Sequence, residues 1–193
     1  MGTYTMPPNT DTIQRYSGIN GGPVLVQSNN AANIIAPYLQ YRRPGTSGGW
    51  TGITQTMGLT PTQISDRYAF PHYDYTDSTR YNSLQLANFD SVSTNIVVEI
   101  GGVVRGTCPM AVGSSQNVTF PGVKGGPVVV YSDNGADIVV SLYELKRAGS
   151  AGYWNGQTQM MGLSWTALSD TYVIPRYNYT LQDLLPFVVF GVP

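Results

Sequence analysis

The sequence predicts an all-β protein made of two tandem immunoglobulin-like β-sandwich units. Three observations carry the prediction. The chain repeats itself at a fixed offset of 104 residues. Its apolar runs are short, rich in Val, Ile, Tyr, Phe and Thr, and separated by clusters of Gly, Asn, Asp and Pro, the pattern of strands and turns. One repeat period holds seven such runs in about 80 residues, as in an immunoglobulin-like sandwich.

The repeat is gapless. Gly21-Gly22-Pro23-Val24-Leu25-Val26 returns as Gly125-Gly126-Pro127-Val128-Val129-Val130, and Thr54-Gln55-Thr56-Met57-Gly58-Leu59 as Thr158-Gln159-Met160-Met161-Gly162-Leu163. Ser65-Asp66-Arg67-Tyr68 returns as Ser169-Asp170-Thr171-Tyr172, and Pro71-His72-Tyr73-Asp74-Tyr75-Thr76 as Pro175-Arg176-Tyr177-Asn178-Tyr179-Thr180. Residues 2–76 and 106–180 share 31 identities in 75 positions. Two full copies would span 208 residues, 15 more than the 193 present, and segment 90–104 occurs once. The expected division is therefore 1–65 as the last strands of an incomplete unit, 66–165 as a complete sandwich, and 166–193 as the first strands of a further unit.

Strands are expected at 67–75, 82–89, 94–100, 103–111, 116–121, 126–132 and 136–147. Gly101-Gly102 between Val97–Ile100 and Val103–Arg105 predicts a tight hairpin, because glycine reaches positive φ without a Cβ clash. Asp133-Asn134-Gly135 predicts a second hairpin between Val128–Tyr131 and Asp137–Tyr143, copied at 24–41. Residues 149–154 read as a loop leading to the next copy. No segment carries a sustained helical stripe; Pro61 opens at most a single turn over 60–65, copied at 164–169.

Composition narrows the function. Charged residues make up 11% of the chain, against roughly 25% in ordinary soluble domains, and there are two lysines. A surface of Asn, Gln, Ser, Thr, Gly and 14 tyrosines suits an extracellular, assembled protein. With a net charge of −1 and scattered basic residues, nothing favours nucleic acid. No run reaches the 18 or so apolar residues of a membrane-spanning helix. A secretion signal, if used, is expected outside this sequence, since residues 1–8 have no basic or apolar leader region.

The order of strand, Gly-Gly turn, basic residue, Gly-Gly-Pro-Val, Asn-Gly and aromatic-Pro-x-Tyr-Asp resembles tandem repeats of about 100 residues in bacterial and archaeal cell-surface and secreted proteins. The segments that carry the resemblance are Ile100–Gly106, Gly125–Val130, Ala136–Val140 and Phe70–Asp74. Nearly the whole chain is covered, though the motifs are structural. The resemblance implies spacer or filament-forming sandwiches and supplies no catalytic residue. The aromatic usual at the position of His72 and Arg176 is missing here.

No enzyme is expected. His72 is the single histidine and its copy is Arg176, so no His site is duplicated. Asp66 and Asp170 recur and are expected to cap backbone N–H groups after the short turns. They lack the clustered oxygens of a calcium site. Glu99 and Glu144 occur in one copy only. Cys108 is alone, so no intrachain disulfide forms and a buried small side chain is expected. Neither a metal nor a cofactor is implied.

Two features remain. Trp50 and Trp154, and Tyr73 and Tyr177, recur with Tyr68/Tyr172 and Tyr75/Tyr179. Such aromatics either pack the core or stack on sugars, which leaves a carbohydrate-binding or adhesin module as the alternative function. Asn117 and Asn178 sit in N-glycosylation patterns. The other feature is the apolar segment Leu184-Leu185-Pro186-Phe187-Val188-Val189-Phe190 near the end. It supplies strand types that the first half-unit lacks. Head-to-tail strand complementation between copies of this chain, giving an extracellular filament or surface layer, is the expected function, with Leu184, Leu185, Phe187, Val188, Val189 and Phe190 at the polymer interface.

Overall fold

The computed structural model describes residues 2–43, 52–147, 149, 153–175 and 188–193. They form strands β1 (Pro37–Arg42), β2 (Gly52–Met57), β3 (Arg67–Phe70), β4 (Tyr73–Asp74), β5 (Arg80–Asn88), β6 (Thr94–Ile100) and β7 (Val103–Met110). β8 (Ser115–Val118), β9 (Lys124–Gly125), β10 (Val128–Ser132), β11 (Ile138–Arg147), β12 (Trp154–Met161) and β13 (Leu163–Ser164) follow. Single 3₁₀ turns at Pro61–Gln63 and Trp165–Ala167 are the helical elements among the described residues. Among the described residues no helix is long and apolar enough to cross a membrane.

The pairing is antiparallel throughout. One sheet has the order β13-β3-β10-β6-β7 and the other β12-β11-β5-β8; β4-β9 and β1-β2 are separate pairs. Strict alternation builds the core. In β6 every second residue is buried, so Ile96, Val98 and Ile100 face inward while Asn95, Val97 and Glu99 are half-buried. The first sheet also contributes Tyr68, Phe70, Cys108, Met110, Val128 and Val130 to the core; the second contributes Leu84, Leu86, Ile138, Val140 and Leu142. Two facing sheets sharing one apolar layer are a β-sandwich arrangement.

The Gly101-Gly102 turn joins β6 to β7 with φ of 62° and 73° at its two glycines, the mirror-image geometry that only glycine adopts freely. The second expected hairpin does not form. β10 pairs with β3 and β6 in one sheet, whereas β11 pairs with β5 and β12 in the other. Asp133-Asn134-Gly135 is thus a corner between sheets, fixed where Ser132 Oγ donates to the Ala136 carbonyl at 2.8 Å and the Asn134 side chain accepts the Ala136 N–H at 3.2 Å. The loop expected through Trp154 is also corrected: Trp154–Met161 is strand β12, paired with β11. Its copy, β2, lies alongside it. The Gln157 amide of β12 also donates to the Gln40 carbonyl of β1, the strand paired with β2, at 3.2 Å.

Candidate assembly surfaces

Residues equivalent at the 104-residue offset share local backbone states. Gly18 and Gly122 have φ of 77° and 79°, Asn9 and Gly113 61° and 65°, and Ala31 and Gly135 59° and 77°. Gly22-Pro23 and Gly126-Pro127 are both cis. After each 3₁₀ turn, the Ser65 or Ser169 N–H donates to the hydroxyl of Tyr68 or Tyr172, at 3.0 and 2.9 Å. The serine hydroxyls then accept the N–H of Arg67 and Thr171, at 3.2 and 3.1 Å. Serine therefore does the backbone capping that was expected of Asp66 and Asp170.

The surroundings of these equivalent residues are opposite. Val128 and Val130 are 0% exposed, whereas Val24 and Val26, in the same Gly-Gly-Pro-Val-x-Val context, are 74% and 59% exposed. Ile138 is 0% exposed and its equivalent Ile34 48%. At the other end, Tyr68 and Phe70 are buried, while Tyr172, Val173 and Ile174 are exposed. Leu84 and Leu86 are buried, while their equivalents Val188 and Phe190 are 40% and 84% exposed. Val189 is likewise exposed. Leu184, Leu185 and Phe187 lie outside the described residues.

A cleft of about 380 Å³ lined by Arg15, Leu39, Gln40 and Tyr41 opens in the first half-unit. Its geometry has a counterpart in the central sandwich. Arg15 corresponds to Thr119, next to β8, and Leu39–Tyr41 to Tyr143–Leu145 of β11. In the sandwich β5 fills the space between β8 and β11, with Tyr143, Glu144 and Leu145 opposite Ser83, Asn82 and Tyr81. Arg15 and Leu39–Tyr41 thus line this cleft at positions whose sequence equivalents flank β5 in the sandwich.

At one end of the sandwich lies a charged cluster that sequence reasoning missed. The Asp74 carboxylate is 5% exposed and bonds the guanidinium of Arg80; Lys124 Nζ stands 3.4 Å away. Thr76 Oγ1 donates to it at 2.7 Å. Asn82 accepts the Asp74 N–H at 3.1 Å and donates to Glu144 Oε1 at 2.6 Å. Burial pushes the Asp74 carboxyl up, but the Thr76 hydrogen bond and the Arg80 and Lys124 charges outweigh it and hold it below its ordinary value. Next to this cluster the fully buried Tyr73 hydroxyl donates to the Asn82 carbonyl at 2.9 Å and accepts the Phe120 N–H at 2.8 Å. Burial pushes the Tyr73 phenol to about 12 despite that N–H. Tyr68 is pushed to about 12 for the same first reason.

The other candidates distribute as follows. Tyr73 has no exposed face and cannot stack on a sugar. Trp154 is half-buried in an outward row: its ring meets Tyr81 edge-on at 6.2 Å, Tyr81 meets Tyr75 at 5.2 Å, and Arg147 lies over Trp154 at 4.6 Å. Trp50, Tyr177 and Asn178 lie outside the described residues. Asn117 is exposed on β8. Cys108 is buried in β7, and burial pushes its thiol up. His72 is half-buried. Among the described residues no group of three or more His, Cys, Asp or Glu side chains could hold a metal. Comparison with family models, with curated proteins and with solved structures found no match to this chain.

Proposed function

We propose that the protein is a structural subunit that assembles head to tail by β-strand complementation into an extracellular filament or surface layer. The observation that carries this reading is the contrast within one sequence: the same strand types are buried at the centre and exposed at both ends. Exposed, unpaired strand sequences of this apolarity invite pairing with another chain. Burying one such side chain contributes roughly 1.5–3 kcal/mol, so five or six of them offset a substantial docking entropy.

In this reading residues 166–193 of one copy enter the first half-unit of another, completing an immunoglobulin-like sandwich of the tandem-repeat type found on prokaryotic surfaces. The central register translates directly. Val128 pairs with Phe70 and Val130 with Tyr68, so Val24 would pair with Ile174 and Val26 with Tyr172. Leu142 pairs with Leu84 and Val140 with Leu86, so Tyr38 would meet Val188 and Ala36 would meet Phe190. Pro186 has no N–H for a ladder, so the strand entering the cleft starts after it. The low charge of the chain supports the extracellular setting.

Sedimentation velocity over a concentration series, with negative-stain microscopy of the same samples, tests the proposal. The native chain is expected to form polymers; Val188→Asp with Phe190→Asp is expected to leave monomers whose thermal unfolding is unchanged. A concentration-independent monomer of the native chain would sink the reading.

The row Tyr75–Tyr81–Trp154 favours one second reading, a glycan-binding face. It requires sugar affinity in the monomer that Trp154→Ala removes.

A further inference from the structure

The outer face of the first sheet carries a group of side chains that strand complementation does not use. Strand pairing sets it out in two rows. Arg67 on β3 lies opposite Tyr131 on β10, which lies opposite Val97 on β6. Two residues along, Ala69, Val129 and Glu99 form the next row on the same face. Trp165, in the 3₁₀ turn after β13, comes in from the other side of β3. The Arg67 guanidinium carbon sits 3.8 Å from the Trp165 ring centre and 5.4 Å from that of Tyr131. The Tyr131 hydroxyl in turn donates to Glu99 Oε1 at 3.0 Å. All four side chains are half-buried, so none is closed off from solvent.

Packing alone does not account for this group. In the other copy Arg67 becomes Thr171, Tyr131 becomes Gln27 and Trp165 becomes Pro61. The local backbone is nonetheless the same. The Thr171 N–H donates to Ser169 Oγ as the Arg67 N–H does to Ser65 Oγ, and Pro61 opens the same 3₁₀ turn as Trp165. Turn and strand end therefore form without the cation and without the rings. Arg67 is also unmatched where it stands. Among the described residues it forms no ion pair, and its buried Nε has no hydrogen-bond partner. An unpaired buried donor opposes folding, so its retention calls for a reason other than stability.

We infer that this face binds an acidic saccharide: Arg67 takes the carboxylate of a uronic acid, and Tyr131 and Glu99 take the hydroxyls of the neighbouring sugar. A guanidinium held against two rings keeps its N–H fork in one orientation, which suits two parallel bonds to a carboxylate. Arg67 and Glu99 stand two strands apart, roughly 10 Å, so the ligand carries its anion at one end and hydrogen-bond donors at the other. Glu99 repels a chain with an acid at every step, which disfavours polyacidic peptides and densely sulfated chains. A uronic acid alternating with a neutral sugar meets both demands, and its apolar ring faces suit Tyr131 and Trp165. The face lies on the other sheet from Tyr81 and Trp154, and neither the first half-unit nor residues 166–193 take part in it. The inference therefore stands or falls separately from strand complementation.

Isothermal titration calorimetry on the full-length chain tests it. The probes are a tetrasaccharide of alternating glucuronate and N-acetylglucosamine, its carboxyl-reduced neutral form, and a tetraglutamate peptide. The acidic tetrasaccharide is expected to bind, and the neutral form and the peptide to bind more weakly by roughly tenfold or more. Arg67→Gln should weaken the acidic tetrasaccharide by roughly ten- to a hundredfold, the effect of one lost charge-assisted pair, while Trp154→Ala leaves it unchanged. The comparison of the two saccharides uses the unaltered protein, so it decides the matter even if the Arg67 variant does not fold. Binding of neither saccharide, equal binding of both, or a loss on Trp154→Ala but not on Arg67→Gln overturns the inference. A peptide that binds as tightly as the acidic tetrasaccharide overturns it as well, since the face would then select charge and not sugar.

Discussion

Gly126 and Gly22 occupy equivalent places, and adding one methyl group to each should have opposite consequences. A Cβ on Gly126 would lie 2.3 Å from the Pro71 carbonyl oxygen and 3.1 Å from the His72 Cα. Both obstacles are backbone, so neither can swing away, and one chain would have to shift by roughly 1 Å to reach ordinary contact. Overpacking of that kind costs about 3 kcal/mol. For a unit of about 100 residues this lowers Tm by roughly 12–24 °C. A Cβ on Gly22 would meet Ser115, with Oγ at 3.4 Å and Cβ at 3.6 Å, and the Val24 N at 3.9 Å, all ordinary contacts. Gly22→Ala should therefore leave the monomer's Tm within about 2 °C of the parent, as for a surface change. The equivalent of Pro71 is Pro175, which in the proposed polymer belongs to the incoming copy. The same clash would then arise between chains, and Gly22→Ala should stop assembly. Differential scanning calorimetry and sedimentation velocity on the two variants read both effects. If Gly22→Ala polymerises like the parent, the first half-unit does not receive residues 171–175 in the register of the central sandwich. If Gly126→Ala melts like the parent, the close crossing at Pro71 is not a constraint.

Three further outcomes are expected. Tyr73→Phe removes a hydroxyl that satisfies both the Asn82 carbonyl and the Phe120 N–H in a site closed to water, and should destabilise by about 2 kcal/mol in urea unfolding with an unchanged m-value. The folded state holds the protons of Tyr68 and Tyr73 up to about 12, above the ordinary value of 10.0, so their contribution is intact below pH 10 and is lost as the pH climbs toward 12. Ultraviolet titration should show two phenols ionising in step with the loss of near-ultraviolet circular dichroism. The Asp74 carboxyl is held below its ordinary value, so its contribution is present above the normal carboxylate range and disappears as pH falls through the lowered value. Urea midpoints measured down an acid series should fall more steeply for the parent than for Asp74→Asn.

The individual strands could be read because alternation and turn chemistry are local. Ile96, Val98 and Ile100 alternate with half-buried residues, and Gly101-Gly102 dictates its own turn. The partner of each strand could not be read in the same way. Asp133-Asn134-Gly135 serves a hairpin or a corner between sheets equally well; which one forms depends on β3 and β6 competing for β10. β12 escaped detection because Gln157, Thr158 and Gln159 carry no apolar alternation; it is held by the ladder to β11 at the edge of its sheet. The charged cluster brings Lys124 and Glu144 to Asp74 and Arg80 from about 50 and 70 residues further along the chain, so no local spacing reveals it. The fate of the exposed end strands was legible only as a comparison between copies, since burial is a property of the neighbours and not of the segment.

The four outer edges of the two sheets are β13, β7, β12 and β8. β13 is two residues long and β8 four. β7 carries Pro109, which offers no N–H, and Arg105, and its pairing with β6 is irregular at Val98/Glu99. β12 has β2 beside it. Each edge is blunted by a different device, so side-to-side sheet extension is suppressed all around the sandwich. An assembly of such units would grow as separate threads one molecule thick, and would resist bundling into the laterally stacked ribbons of amyloid even at high local concentration.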